Sequence, residues 1–262
     1  DVALLGLAMS TAIAVSLGQN VSNSPLNTFG ITTPPWQVAN HQGFDGRGNY
    51  YDAFDLNNMS APGGDVILRG DPPPKEIMMS WAGSTFLVGQ IPTSNSEVGG
   101  KEGPRNVVQA DGQTVYMPTG DYTHVQLIGA GANGTQSDQA ITVNFTDGTS
   151  ATWTQTFSDW ASTPTPGSVA GEVVVNGGTR VNQLGNAVNE TANVYGYSYE
   201  IPEGMTVQSL VLPSGLPGGK DGSVGILGIS LVGTPSVAPW AGVGIVTDGT
   251  TVNATDGFDG SG

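Results

Sequence analysis

The chain has 262 residues, with 22 acidic residues against 7 lysines and arginines, and its formal net charge at pH 7 is −15. This charge argues against nucleic acid and against insertion into an anionic membrane, because both are favoured by clustered cations. The sequence contains no cysteine, which excludes disulfides and thiolate chemistry. Its 40 glycines and 17 prolines predict many short strands joined by tight turns.

The first predicted segment, residues 1–20, begins with an apolar run that lacks the cationic start of a signal peptide and is short for a membrane span. We interpret Val2–Met9 as the closing β-strand of a neighbouring unit, and Ala12–Leu17 as a second short extended stretch. An apolar strand with unpaired backbone groups requires another sheet. Its partner would be a preceding unit in a tandem array, or a separate subunit that it joins by strand addition.

Residues 21–65 are rich in proline, asparagine and glycine, and predict loops with one short strand at Thr28–Thr32. Three acids in this segment lie among glycines and aromatics, which suits a tight loop around Ca²⁺, an ion that takes several carboxylate and carbonyl oxygens. The alternative is a glycine-shaped corner whose Phe44 and Tyr51 pack into the core. No cofactor other than structural Ca²⁺ is predicted. The candidate ligands are Asp45, Asp52 and Asp55.

Residues 66–232 show regular strand signals, separated by turn signals such as Asp147-Gly148 and Asn176-Gly177-Gly178. None of these segments has the periodicity of a helix. The number and spacing of the strands predict an all-β fold, an antiparallel two-sheet β-sandwich or jelly roll. The predicted strands are Val66–Arg69, Glu76–Trp81, Thr85–Gly89, Asn106–Gln109, Gln113–Met117, His124–Gly129, Ala140–Phe145, Ser150–Phe157, Glu172–Val175, Asn193–Ile201, Thr206–Leu212 and Val224–Val232.

Residues 233–262 read as a proline-rich linker followed by the start of another repeat. Nine of twenty positions agree between residues 29–48 and 243–262, including the closing Gly-Phe-Asp-Gly-x-Gly. Val2–Met9 likewise resembles Val224–Leu231. Similarity at a nearly fixed offset indicates a tandem array. The predicted organisation is a closing strand with linker at 1–20, a sandwich unit at 21–232, and a linker with the next repeat at 233–262.

Five motifs occur in this order: Phe44-Asp-Gly-x-Gly-x-Tyr, Asn106-Val-Val-x-Ala-Asp-Gly-Gln-Thr-Val, Ile141-Thr-Val-x-Phe-Thr-Asp-Gly-Thr with Thr152-x-Thr-x-Thr-Phe-Ser-Asp-Trp160, Tyr195-Gly-Tyr-Ser-Tyr, and Val224-x-Ile-Leu-x-Ile-Ser-Leu. Together they resemble the β-sandwich domains appended to secreted bacterial glycosidases, notably some α-galactosidases, which are described as carbohydrate-binding modules. The likeness covers roughly residues 29–232. It implies a β-sandwich and an extracellular setting, with no binding site to carry over. We expect the neighbours here to be copies of the unit rather than a catalytic domain.

Catalytic chemistry has few candidate residues in this sequence. Histidine occurs only as His41 and His124, so a zinc site of paired histidines at helical spacing is excluded, and a Ser-His-Asp triad would need one of the two. The sequence has no Gly-x-Ser-x-Gly motif to present a nucleophilic serine. We therefore predict that the chain is not an enzyme.

Sugar binding would need an aromatic platform surrounded by hydrogen-bonding side chains. Trp36 follows two prolines in an irregular loop and is the best platform candidate. Trp160 stands at a strand end, where its indole either plugs the sandwich or faces a ligand. The candidate carbohydrate-binding residues are Trp36, Trp160 and Tyr195.

Six Asn-x-Ser/Thr sequons are candidate glycosylation sites, although a chain rich in asparagine, serine and threonine also forms such triplets by chance. Occupied sites would mark exposed loops and strand faces of a secreted protein. Their asparagines are Asn20, Asn58, Asn133, Asn144, Asn189 and Asn253.

These observations predict a non-catalytic structural repeat unit of a secreted cell-surface or filament-forming protein. Its partners would be copies of itself, joined by tandem linkage or by strand exchange. The alternative is a carbohydrate-binding module of a larger extracellular glycoside hydrolase, with glycans as partners.

Overall fold

The structure is a computed structural model that describes residues 11–15, 30–32, 43–52, 64–69, 76–88, 106–182, 184 and 186–235. These residues form fifteen β-strands and one 3₁₀ turn at Gly219–Asp221. The prediction of an all-β fold is thereby confirmed. Among the described residues no helix is long and apolar enough to cross a membrane.

The strands are numbered in chain order. They are β1 (Thr11–Val15), β2 (Ile31–Thr32), β3 (Asn49–Asp52), β4 (Gly64–Arg69), β5 (Glu76–Trp81), β6 (Ser84–Val88), β7 (Val108–Gln109), β8 (Thr114–Tyr116), β9 (Gly120–Ala132), β10 (Gln136–Phe145), β11 (Ser150–Phe157), β12 (Glu172–Asn182), β13 (Ala187–Glu200), β14 (Val207–Val211) and β15 (Ser223–Pro235).

Eight strands form the large sheet, in the order β1, β15, β9, β13, β12, β3 and β2, with β7 also paired to β15. Its pairings are antiparallel apart from the short parallel contact between β2 and β3. The outer edge of β15 has two partners: β7 pairs with Gly225 and Ile226, and β1 pairs with residues 229–233. The last long strand of the described chain therefore lies inside the sheet.

A second sheet, ordered β11, β10, β14 and β8, faces the large sheet and completes the sandwich. Alternation along β13 directs Tyr195, Tyr197 and Tyr199 to the inner face. The ring of Tyr197 lies 4.7 Å from that of Phe157 on β11, and Tyr199 stacks at 4.7 Å on Trp153 of the same strand. These ring contacts join the two sheets, as the sandwich prediction requires.

A third sheet, ordered β4, β5 and β6, covers part of the other face of the large sheet. A Cβ atom added at Gly196 would lie 2.8 Å from the ring of Trp81, and one at Gly228 would lie 3.0 Å from Cβ of Phe86. Because Gly196 and Gly228 have no side chain, the β5–β6 hairpin of the third sheet approaches the backbone of the large sheet closely. Strands β9 and β15 are therefore buried on both faces where this layer lies, and their sequences read there as nearly continuous apolar or small-residue runs.

Two segments are strands where the sequence predicts a turn or a loop. Asn176-Gly177-Gly178 was expected to form a turn but lies inside β12, where the register against β13 shifts between Val174 and Asn176. Such a shift is a β-bulge, and it falls at Val175, whereas Gly177 and Gly178 pair in regular register with Asn193 and Ala192 and continue the strand. Strand β3 was expected to be loop, and it pairs antiparallel with β12.

Strand β1, Thr11–Val15, overlaps the predicted stretch Ala12–Leu17 and pairs with β15 of its own chain, and the last two residues of that stretch lie outside the described residues. Predicted strand Val2–Met9 and the second repeat at 243–262 lie outside the described residues. The tandem arrangement therefore stays a prediction.

Buried tyrosines should make the fold sensitive to alkali. Burial raises the pKa of Tyr51, Tyr197 and Tyr199 well above the ordinary value, so the folded protein keeps protons that the unfolded chain loses near pH 10. Stability is then fully present below pH 10 and falls as pH rises, by about 1.4 kcal/mol per pH unit for each such tyrosine. Denaturant unfolding between pH 9 and 11.5 measures this slope. Tyr199→Phe should make the slope of the unfolding free energy against pH shallower by the contribution of one tyrosine. An unchanged slope would contradict a raised pKa of Tyr199 in the folded protein.

Candidate functional site

The Gly43–Gly48 loop precedes β3 and is held by its own side chains. Its three glycines at 43, 46 and 48 have φ between 67° and 84°, the left-handed region that glycine adopts without strain. The Asp45 carboxylate accepts hydrogen bonds from the backbone N–H of Arg47 at 2.8 Å and from backbone and side-chain nitrogens of Asn49 at 3.2 and 2.7 Å. In the Phe44-Asp45-Gly46 motif, the aspartate side chain therefore holds the turn by accepting hydrogen bonds from the residues that follow it.

Phe44 points from this loop into the core and forms a cluster of three aromatic rings with Tyr51 and Trp160. Its ring centroid lies 4.8 Å from Tyr51 and 4.7 Å from Trp160, which are themselves 4.8 Å apart. Phe44 also fits against the backbone of β15, where a Cβ at Gly225 would lie 2.2 Å from the Phe44 ring. Phe44 and Tyr51 pack into the core, as the glycine-shaped-corner interpretation predicts.

Trp160 belongs to the loop after β11, which is fastened to both neighbouring strands. Gly131 of β9 donates to the Ser158 carbonyl and accepts from the Trp160 N–H. The Asp159 carboxylate accepts the N–H groups of Gly134 at 2.6 Å and Ala161 at 2.9 Å. On β13, Asn193 donates its side-chain nitrogen to the carbonyls of Trp160 and Ser162. Few of these groups can shift without breaking several bonds.

These two loops and β12 enclose a cavity of about 360 Å³ at one end of the sandwich, which we call the loop-end cavity. The Asn133 side chain joins its walls by donating to the Asp45 carbonyl at 2.6 Å. Two of the chain's 7 basic residues lie here although its net charge is −15. The lining residues are Asp45, Arg47, Asn49, Asn133, Asp159, Trp160, Ala161 and Arg180.

The two arginines are held differently. Arg180 forms an ion pair with Glu190, and its guanidinium carbon lies 5.4 Å from the centre of the Trp160 ring, a cation–π contact. Its side chain is 12% exposed, and its Nε has no hydrogen-bond partner. Arg47 is exposed and donates from Nη2 to the Lys220 carbonyl at 3.0 Å.

The predicted carbohydrate-binding residues occupy covered positions where they are described. Trp160 and Tyr195 are each 1% exposed, so neither ring offers an open face for a sugar to stack on. Trp160 fills the space between Phe44, Tyr51 and Arg180, which is the plug role. Tyr195 supports the site from below, since its hydroxyl donates to the Asp159 carbonyl at 3.3 Å. Trp36 lies outside the described residues.

Of the three predicted calcium ligands, Asp45 and Asp52 lie among the described residues. Asp45 and Asp52 are buried, and the Asp45 oxygens already accept the loop N–H groups. Asp55 lies outside the described residues. Within the described part of the chain, no three acidic or histidine side chains are grouped so as to hold a metal ion. Calcium binding stays a prediction.

The described sequons differ in accessibility. Asn133 lines the loop-end cavity, Asn144 is half-buried on β10 and donates to Oγ of Ser209 at 3.0 Å, and Asn189 lies in β13. Asn20, Asn58 and Asn253 lie outside the described residues, and so does His41. His124 is partly exposed on β9, with Nδ1 3.1 Å from Oγ1 of Thr123. Glycosylation stays a prediction.

Sequence reasoning did not single out Arg47, Asn49, Asp159 or Arg180 as site residues. The available signal was the scarcity of basic residues, because any arginine inside a repeated glycine motif is unusual in so acidic a chain. Arg180 gave no such local signal, because its place in the wall depends on the pairing of β12 with β3.

One comparison with known families gives a match. The family described as AziU2-like beta-sandwich domain matches residues 82–232, which is more than half of the 262 residues. No curated protein matches the chain. The matched segment supplies Asn133, Asp159 and Arg180 to the loop-end cavity, whereas Asp45 and Arg47 come from outside it.

Proposed function

The chain belongs to the AziU2-like β-sandwich family, and from that premise we propose that it is a non-catalytic structural unit of a secreted cell-surface or filament-forming protein. Neighbouring copies join by exchanging strand β1, or are linked in tandem along one longer chain. The pairing of β1 with the outer edge of β15 is the observation that carries this proposal.

Strand β1 completes an edge that the rest of the sandwich leaves half covered. Strand β7 reaches only Gly225 and Ile226, whereas β1 pairs with residues 229–233 in register from Thr11 opposite Gly233 to Val15 opposite Ile229. It also contacts β6 of the third sheet. Without β1, this part of β15 would keep an unpaired row of backbone groups, which invites another strand.

The covalent connection allows that strand to come from elsewhere. Residues 16–30 separate β1 from β2, and fifteen extended residues span up to about 50 Å at roughly 3.3 Å each. An identical strand from a second copy would make the same backbone bonds with the same register, which is the condition for domain swapping. The result would be a homopolymer held together by a sheet that runs across each junction.

A cysteine pair can show which copy supplies β1. Ala12 and Val232 face each other in the β1–β15 register, and the native chain has no cysteine to interfere. Cysteines at directly opposed antiparallel positions lie within disulfide range. Under mild oxidation, an A12C/V232C variant should give a covalent ladder on a denaturing gel, because each disulfide would connect two copies.

Matched controls separate exchange from random collision. The single variants A12C and V232C should give at most dimers, and a mixture of the two should yield the mixed disulfide, identified by peptide mass. If the double variant forms only an internal disulfide and stays monomeric, strand exchange is refuted. Tandem linkage would then require a native chain whose mass, after enzymatic deglycosylation, is several times that of these 262 residues.

A second candidate function is a carbohydrate-binding module of a larger extracellular glycoside hydrolase. The loop-end cavity favours it, since about 360 Å³ is at the lower end of the volumes of small-molecule sites and accommodates about one sugar ring. Its walls carry amide, carboxylate and guanidinium groups, which are the hydrogen-bonding partners that sugar hydroxyls use. Titration of the full chain with D-galactose and D-galacturonate tests this function.

A further inference from the structure

We propose that the loop-end cavity binds a small hydroxylated ligand that carries a carboxylate, of the class of acidic sugars such as hexuronic acids. This inference rests on the second candidate function, carbohydrate binding, and adds the charge of the ligand. The evidence is the hydrogen bonding of the cavity walls: the carboxylates accept bonds from the protein, whereas the arginines keep N–H groups that the protein does not use.

The two carboxylates of the cavity are largely occupied by the protein itself. Asp45 accepts one N–H group from Arg47 in its own loop and two from Asn49 at the start of β3, and Asp159 accepts one each from Gly134 and Ala161. A carboxylate has about four acceptor positions. A cationic ligand would therefore compete with these bonds at Asp45, whose carboxylate keeps about one of its four acceptor positions.

The two arginines have donors to spare. A guanidinium carries five N–H groups, and the structure gives Arg47 one hydrogen bond, to the Lys220 carbonyl. Arg180 meets Glu190 through Nη2, while its Nε has no partner. Because Nε of Arg180 is buried, the exposed Arg47 is the arginine whose unused N–H groups a ligand carboxylate would meet, and Arg180 adds its charge from the cavity wall. An arginine recognises a carboxylate with two parallel hydrogen bonds, which a neutral hydroxyl cannot match.

The amide side chains supply the contacts for hydroxyl groups. Asn49 donates to the Asp45 carboxylate and Asn133 donates to the Asp45 carbonyl, and these bonds fix the planes of both amides. An amide group contains both donors and an acceptor, and so matches the hydrogen bonding of a sugar hydroxyl. Binding would be short-ranged, because the net charge of −15 repels anions at a distance and salt screens that repulsion beyond about 10 Å at 0.1 M.

The test is a titration of the full chain followed by ¹⁵N NMR and calorimetry, with three probes: D-galacturonate, D-galactose and acetate. Galacturonate should bind at least about tenfold more tightly than galactose, as expected when a carboxylate gains charged hydrogen bonds. It should also bind more tightly than acetate, and the shifts should fall on residues around 45–49, 133 and 180. Titration with an oligogalacturonate as a further probe tests whether the cavity binds the acidic sugar as a free monosaccharide or as part of a polysaccharide.

Arg47→Gln should reduce the preference for galacturonate over galactose to within about threefold, since Arg47 is exposed and its replacement leaves the core untouched. Lys220→Gln is the matched control, because it removes the same charge beside the cavity yet keeps the carbonyl that Arg47 contacts. Arg180→Lys should also weaken galacturonate binding. If Arg180→Lys unfolds the protein, Arg47→Gln still tests the proposal.

The outcomes separate the two ideas. Equal affinity for galactose and galacturonate would overturn the acidic-sugar inference and leave carbohydrate binding standing. Equal affinity for acetate and galacturonate would overturn the sugar part of the inference. An absence of binding by all probes, the oligomer included, would overturn both. An equal loss in Arg47→Gln and Lys220→Gln would assign the effect to general charge, against the proposal.

Discussion

Replacing Trp160 by alanine is expected to lower the free energy of unfolding by about 3 to 5 kcal/mol, the range for large aromatic truncations in a core. The indole is 1% exposed and contacts Phe44 and Tyr51 at centroid distances of 4.7 and 4.8 Å. Its removal opens a void between the Gly43–Gly48 loop and β12, and takes away the ring beneath Arg180. Denaturant unfolding at neutral pH measures the loss.

Trp153→Ala is the matched comparison. Trp153 is partly exposed and stacks one face on Tyr199, so its truncation should cost less than half as much. The cost at Trp160 should also be partly recovered in Trp160→Phe, which keeps a ring in the cluster. If Trp160→Ala cost no more than Trp153→Ala, the aromatic cluster could not be what fastens the loop to the sandwich.

The second large effect is expected at Asn106. Its side-chain Oδ1 accepts the N–H groups of Gly30 at 2.8 Å and Ile31 at 3.1 Å, and its Nδ2 donates to the Ile31 carbonyl at 2.8 Å. The side chain thus substitutes for a neighbouring strand along the free edge of β2. Asn106→Ala would leave up to three buried backbone groups unsatisfied, at a cost of about 3 kcal/mol after partial relaxation.

Hydrogen exchange distinguishes a local from a global effect at Asn106. The amides of Gly30 and Ile31 should lose protection in Asn106→Ala by far more than those of β9, because β3 is the one strand that pairs with β2 among the described residues. Asn144→Ala is the control, since it removes one half-buried bond to Ser209 and should cost about 1 kcal/mol or less. Unchanged protection at Gly30 and Ile31 would contradict the assignment.

The sequence predicts those strands whose alternation of apolar and polar residues is visible within a few neighbouring residues. The β10–β11 hairpin was predicted from alternation around Asp147-Gly148, and β11 has the predicted bounds. Strand β10 begins four residues earlier than predicted, at Gln136, because its first residues are polar and interrupted by a bulge. Strand β3 was missed because Tyr50 and Tyr51 are both buried, which hides the period of two.

The candidate site was predicted only in part, for the same reason. The Gly43–Gly48 motif drew attention by its repetition, and Asp45 and Trp160 were singled out from their neighbours in sequence. That these two residues meet at one cavity, together with Arg180 of β12, follows from strand pairings across more than a hundred residues. No local pattern encodes such pairings. They emerge from the packing of whole sheets.

The position of β15 constrains how the protein is made. Strand β9 lies between β13 and β15 in the large sheet, and residues 120–132 must wait for residues 223–235 to be synthesised. At about 5 to 20 residues per second, that delay is on the order of 5 to 20 s. Strand β13 is made earlier and can cover one edge of β9, but the edge that β15 covers stays exposed on the nascent chain throughout the delay. Productive synthesis therefore depends on keeping β9 from premature partners until the ribosome delivers the right one.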